Sequence, residues 1–240
     1  MAQFLLVHGA WQGGWCWQHI TPQLQARGHL VTALDLPGYG MDSARAMSTT
    51  LDDYTACVMQ AIARCEEAPV LVGHSSGAGV IAQVAERVPD QVRGLIFIAG
   101  LIPAHGCSMM QFVKQFDPEY IAQFNWAPDG RSARLALEGA RRFLYSACPP
   151  AVVERLLPRL QIQSVAPYES LFALSESNFG RAPKHYIRTL HDRLTSPELQ
   201  EEICAMHRIV NVHSLAADHS PTFSAPEELT ALLNTIAHHF

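Results

Sequence analysis

A chain of 240 residues with 48% hydrophobic and 16% charged residues carries enough apolar side chain for one large core. Its formal net charge of −5, with Lys and Arg scattered along the chain, leaves no electrostatic footprint for nucleic acid or an anionic membrane surface. No apolar stretch reaches about 18 residues, residues 1–7 lack the basic flank and length of a signal peptide, and no linker-like tract divides the chain, so one cytoplasmic domain is expected.

Short apolar runs alternate with amphipathic stretches of helix length. The first strand is expected at 4–7 and runs into a loop of small residues, His8-Gly9-Ala10-Trp11, followed by Gly13 and Gly14, which suit a tight turn. A helix at 17–27, a strand at 30–34 and a helix at 51–65 come next, then strand 70–72, helix 78–88 and strand 95–99. The alternation breaks at 102–183, where 131–146 and 151–160 read as helices with no strand between them. This stretch is expected to be a helical cap inserted into a core made of 1–101 and 184–240. Strands at 185–190 and 209–214 and a helix at 226–238 close the chain. Ser224 three residues before Glu227, with Pro226 in the first turn, reads as a capping box for the last helix. The pattern predicts an α/β fold with a mostly parallel sheet of about six strands flanked by helices.

Gly73-His74-Ser75-Ser76-Gly77 matches G-x-S-x-G at Ser75, not at Ser76. Chance alone yields that pattern in roughly one chain in ten of this size, so its setting decides. A buried-strand run, 69–72, precedes it and a helix follows it directly, which puts Ser75 on a sharp strand-to-helix turn with its hydroxyl exposed above the sheet. Glycines here also suit a phosphate-binding turn, but neither a Lys-Ser/Thr ending nor G-x-G-x-x-G is present.

A serine hydroxyl needs a base, and His219 lies in the loop between the last strand and the last helix, where this chain order places it. The acid that orients the imidazole is expected just past the preceding strand, at Asp192, with Asp218 as its rival. Backbone N–H groups of Ala10 and Ser76 are the expected donors to the developing oxyanion. The six cysteines (Cys16, Cys57, Cys65, Cys107, Cys148, Cys204) show no CxxC spacing and the 12 histidines no HExxH, so neither a metal nor another cofactor is expected.

As a set, Val7-His8-Gly9-Ala10-Trp11 with Gly13-Gly14-Trp15, the stretch from Ala33 to Gly38, the Ser75 pentapeptide, Asp218-His219-Ser220-Pro221 and the stretch from Phe143 to Pro149 resemble the plant methylesterase and hydroxynitrile lyase family of α/β-hydrolases, a pattern that bacterial esterases share. The resemblance covers most of the chain. It implies a six-stranded parallel core with a helical cap, and it favours Asp192 as acid with the Ala10 and Ser76 amides as donors. Hydroxynitrile lyases of this family carry threonine where this chain has Gly9 and lysine where it has Ser220, so the resemblance points to the esterase branch. The esterases commonly place a large apolar residue after the nucleophile, and Ser76 departs from that. The expected reaction is hydrolysis of a small hydrophobic or aromatic ester, a methyl ester among them, with Gly9, Trp126 and Phe143 at the substrate pocket and Phe112, Phe124 and Leu171 as further cap residues. A homodimer is compatible with the sequence. The alternatives are a hydroxynitrile lyase or thioesterase on the same scaffold, or a small-molecule receptor that kept the triad.

Overall fold

The computed structural model describes residues 1–41 and 48–240. In chain order β1 (Gln3–Val7) leads through a tight turn to α1 (Ile20–Gln25), β2 (Leu30–Leu34), α2 (Leu51–Ile62), β3 (Val70–His74), α3 (Gly77–Arg87) and β4 (Gly94–Ile98). Then come α4 (Met110–Val113), α5 (Pro118–Ile121), β5 (Phe124–Trp126), β6 (Ser132–Leu135), α6 (Leu137–Gly139), α7 (Pro150–Leu156), β7 (Gln163–Ser164) and α8 (Ala166–Glu169). The chain closes with β8 (Lys184–Thr189), α9 (Pro197–Met206), β9 (Asn211–Leu215), α10 (Pro221–Ser224) and α11 (Pro226–Ala237).

Six strands form one sheet in the order β2-β1-β3-β4-β8-β9, every pair parallel. Strands β3 and β4 are buried along their whole length, as their unbroken apolar runs require when helices cover both faces. Helix α2 starts on a capping box in which the Thr50 hydroxyl accepts from the Asp53 N–H and the Asp53 carboxylate accepts from the Thr50 N–H. Nine of the eleven residues of helix α3 are buried, between the sheet, α2 and the 102–183 stretch, and its start lies at the carboxyl end of β3.

Three expectations change. The stretch 131–146 is not one helix: β6 pairs antiparallel with β5 and β7 in a second, three-stranded sheet, and helical turns resume only at Leu137. The reason lies in pairing on both sides, which buries Ser132, Ala133 and Leu135 and leaves Arg134 exposed, and in Gly130, whose φ of +70° turns the chain into the strand. The stretch 151–160 is helical over Pro150–Leu156 and tightens into a single turn at Leu157–Arg159, where Pro158 supplies no N–H. Ser224 does not cap α11, because it ends the separate turn α10 and its hydroxyl is held by the Asp218 carboxylate at 2.7 Å; Ala225 stands at the cap position. Helix α9 was not among the sequence expectations. It begins on Ser196, whose hydroxyl accepts from the Leu199 N–H.

Candidate active site

Ser75 sits between β3 and α3 with φ of +52°, a left-handed conformation that costs a non-glycine residue about 1–3 kcal/mol. Three backbone hydrogen bonds hold it there: its N–H donates to Ile98 O at 3.0 Å, and its carbonyl accepts from the N–H groups of Ala78 and Leu101. The flanking glycines answer to close approach. A Cβ at Gly73 would lie 2.7 Å from Gly77 O, and one at Gly77 would lie 2.5 Å from His8 O.

His219 lies between β9 and α10 and is buried. Its Nε2 is 3.0 Å from Ser75 Oγ and its Nδ1 is 2.8 Å from Asp192 Oδ2. A buried carboxylate is tolerated only when its lone pairs are satisfied. Asp192 meets that condition, because Oδ2 also accepts from the Thr189 hydroxyl and Oδ1 from the N–H groups of Leu194 and Thr195. With Nδ1–H directed at Asp192, Nε2 is left as the acceptor for the Ser75 hydroxyl.

The rival acid turns elsewhere. Asp218 Oδ1 accepts from the Ser220 N–H and the Ser224 hydroxyl, and Oδ2 accepts from the Ala147 N–H at 2.8 Å and the Cys148 thiol at 3.6 Å. It ties the His219 loop to residues 147 and 148 rather than to the imidazole. One residue that the sequence reading did not single out is His74, whose Nε2–H donates to the His219 carbonyl at 2.6 Å. Burial, with His219 nearby, pushes its pKa down to about 3, and burial likewise lowers His8 to about 4. His8 spends both nitrogens on backbone, donating to Gly9 O and accepting from the Leu36 N–H. The signal for His74 was present in its place next to the serine.

Ala10 borders the same cavity as Ser75, and Ser76 stands at the N-terminus of α3, where the first N–H groups have no partner within the helix. Gly9 packs under the nucleophile, since a Cβ there would come within 2.8 Å of Ser75 Cβ. It borders a second, smaller cavity together with Ser76 and Tyr168.

The cavity at Ser75 is walled by apolar groups. Leu101 and Leu194 come from the core side, and Met110, Val113, Phe124 and Trp126 from the 102–183 stretch. Of these, Trp126 is expected at the substrate pocket and Phe124 in the cap, and both border this cavity. Phe143 does not border the cavity; it lies behind its wall with its ring 5.1 Å from that of Tyr120, which does. Phe112 is buried away from it as well, and Leu171 is 69% exposed to solvent. Among the described residues no group of three or more His, Cys, Asp or Glu is placed to hold a metal ion, and no helix is long and apolar enough to cross a membrane.

Residues 4–232 match the model of the alpha/beta hydrolase family. A probable esterase of Oryza sativa subsp. indica is 31% identical over 98% of this chain and 96% of its own length, and methylesterase 2 of Arabidopsis thaliana is 30% identical over 99% and 96%. Among solved structures, a pyrethroid hydrolase from Sphingobium faniae superposes with a TM-score of 0.87 at 28% identity, covering 99% of this chain and 97% of that one. Polyneuridine aldehyde esterase, at 22% identity, shares the fold with a TM-score of 0.89 over 99% of both chains. The chain therefore belongs to the alpha/beta hydrolase family, beside the plant esterases and methylesterases.

Proposed function

We propose that Ser75 is the nucleophile, His219 the general base and Asp192 the orienting acid of a serine carboxylesterase that acts on a small ester with a hydrophobic or aromatic group. The chain is a carboxylic ester hydrolase, the class for which its esterase and methylesterase relatives are named. The observation that carries the finer reading is the unbroken hydrogen-bonded path from Ser75 Oγ through both nitrogens of His219 to Asp192. In the first half-reaction His219 Nε2 takes the hydroxyl proton as Ser75 Oγ attacks the ester carbonyl. The amides of Ala10 and Ser76 receive the developing oxyanion, and the imidazolium returns the proton to the departing alcohol. Water repeats the sequence on the acyl-enzyme. These groups account for every proton and electron pair in the cycle.

In this reading residues 102–183 act as a cap over a core of 1–101 and 184–240, and their apolar wall holds the hydrophobic part of the substrate. A methyl ester fits the reading, since one relative is named a methylesterase. The test is labelling with a fluorophosphonate probe and peptide mapping, beside turnover of p-nitrophenyl butyrate. Modification at Ser75 with loss of turnover is expected. Label on another serine, or turnover that survives Ser75 modification, would overturn the assignment.

A further inference from the structure

We propose that Gln12 is a positioning residue for the second half-reaction, its side-chain oxygen holding the water that hydrolyses the acyl-enzyme. The inference rests on Ser75 and His219 having the roles given above. Gln12 follows Trp11, a residue with φ of +66°, and is 1% exposed. Its Nε2 donates to the Tyr145 phenol at 3.2 Å and to the Ser220 hydroxyl at 3.4 Å, which fixes the amide plane. Its Oε1 is buried, and among the described residues no donor reaches it. Such an atom is costly unless some other group supplies the hydrogen bond.

Gln12 borders a small cleft of about 10 Å³, a space on the scale of a single water, and Ser75, His219 and Ala10 border it too. This cleft is separate from the second cavity at Gly9 and Ser76, and it shares Ala10, Trp11, Ser75, Tyr120 and Leu194 with the large apolar cavity. A water there has two acceptors available once Ser75 is acylated and its hydroxyl proton is gone. One O–H faces His219 Nε2 and the other faces Gln12 Oε1. That leaves an oxygen lone pair for the acyl carbon. As the new C–O bond forms, the first proton passes to His219. Collapse of the tetrahedral species then breaks the acyl bond to Ser75 Oγ, and His219 returns the proton to that oxygen. During acylation the attacking atom is Ser75 Oγ, which has no use for the Gln12 oxygen. The two half-reactions should therefore respond differently to its removal.

The experiment is stopped-flow hydrolysis of p-nitrophenyl butyrate, which resolves the acylation burst from steady-state deacylation. Gln12→Leu is expected to slow deacylation about tenfold, the scale of one hydrogen bond, and to leave acylation within about threefold, so that acyl-enzyme accumulates. Gln12→Glu keeps an oxygen at the same reach and is expected to hold deacylation within about threefold of the unchanged enzyme, which also controls for any loss of folding in the leucine variant. Equal slowing of both steps in the leucine variant, or unchanged deacylation, would overturn the role of Gln12 while leaving Ser75 and His219 in place. Absence of any Ser75 acylation in the unchanged enzyme would instead remove the reading on which it rests.

Discussion

The loops after β3, β8 and β9 and the 102–183 stretch meet around Ser75 but build their sides of the site by different means. On the sheet side polar atoms are buried and paired: Asp192 accepts four hydrogen bonds, and His74 and His219 are tied together through the backbone. On the opposite side rings pack on rings. Tyr120 meets Phe124 at 4.9 Å and Phe143 at 5.1 Å, and Trp11 reaches across from the sheet side to Phe124 at 5.3 Å. Hydrogen bonds have narrow angular tolerance and apolar contacts are forgiving. In the proposed esterase reading bond-making belongs to the sheet side and substrate selection to the other, and substitutions on the two sides should therefore differ in kind.

The largest effect belongs to the sheet side. Ser75→Ala should lower kcat by about 10⁶, the scale seen when a triad nucleophile is removed. Ser76→Ala should stay within about tenfold, because the backbone N–H assigned to the oxyanion survives the loss of the hydroxyl. Steady-state rates on p-nitrophenyl butyrate decide between them, and equal losses would mean that the wrong hydroxyl had been chosen. Next in size is the pair of aspartates that bracket the imidazole problem. Asp192→Asn should cost about 10⁴ in kcat by imposing the wrong tautomer on His219. Asp218→Asn should act mainly on stability, through the tether to Ala147 and Ser224, with kcat within about tenfold. If the order of the two losses were reversed, Asp218 would be the working acid.

Substitutions in 102–183 should leave chemistry alone. Trp126→Ala removes a ring that borders the cavity and should raise KM for aromatic and long-chain esters about tenfold with kcat nearly unchanged. Phe143→Ala empties a buried site behind the wall and should instead cost about 3–5 kcal/mol of stability, measured by chemical unfolding. A KM effect at Phe143 larger than at Trp126 would contradict the placement of the two rings.

The sequence shows the sheet side far better than its counterpart, for a physical reason. Parallel strands buried on both faces must be continuous apolar runs, so β1, β3 and β4 stand out, and an elbow that passes Gly73 and Gly77 within van der Waals reach of neighbouring backbone leaves glycines at fixed spacing. The 102–183 stretch carries short elements whose form depends on tertiary partners. Nothing local in Ser132–Leu135 distinguishes a four-residue strand from a turn of helix until β5 and β7 pair with it. Phe143 and Trp126 look alike in the chain, and only packing separates the ring behind the wall from the ring in it. The orphaned oxygen of Gln12 is likewise invisible in the sequence, because it depends on which groups fail to reach it.

The smallest effect concerns acid, and it too should divide the molecule. His8 and His74 are buried and neutral, with pKa values pushed from 6.5 down to about 4 and about 3, and burial also lowers His185, His207 and His213. All five lie outside 102–183, which contains a single histidine, His105. A histidine whose folded pKa is depressed binds more protons when unfolded, so unfolding is favoured as pH falls from about 6.5 towards the folded value, and stability is fully present only above that window. Unfolding free energy should therefore be level between about pH 7 and pH 8 and decline steadily between about pH 6.5 and pH 4. His74→Gln, which retains an N–H donor for the His219 carbonyl, should make that decline shallower while leaving the acid dependence of the Tyr120 and Phe124 ring packing untouched. Chemical unfolding at half-unit pH steps reads the first, and near-ultraviolet dichroism of the aromatic cluster reads the second. A decline as steep in the variant as in the unchanged enzyme would mean that His74 is not held neutral by its burial.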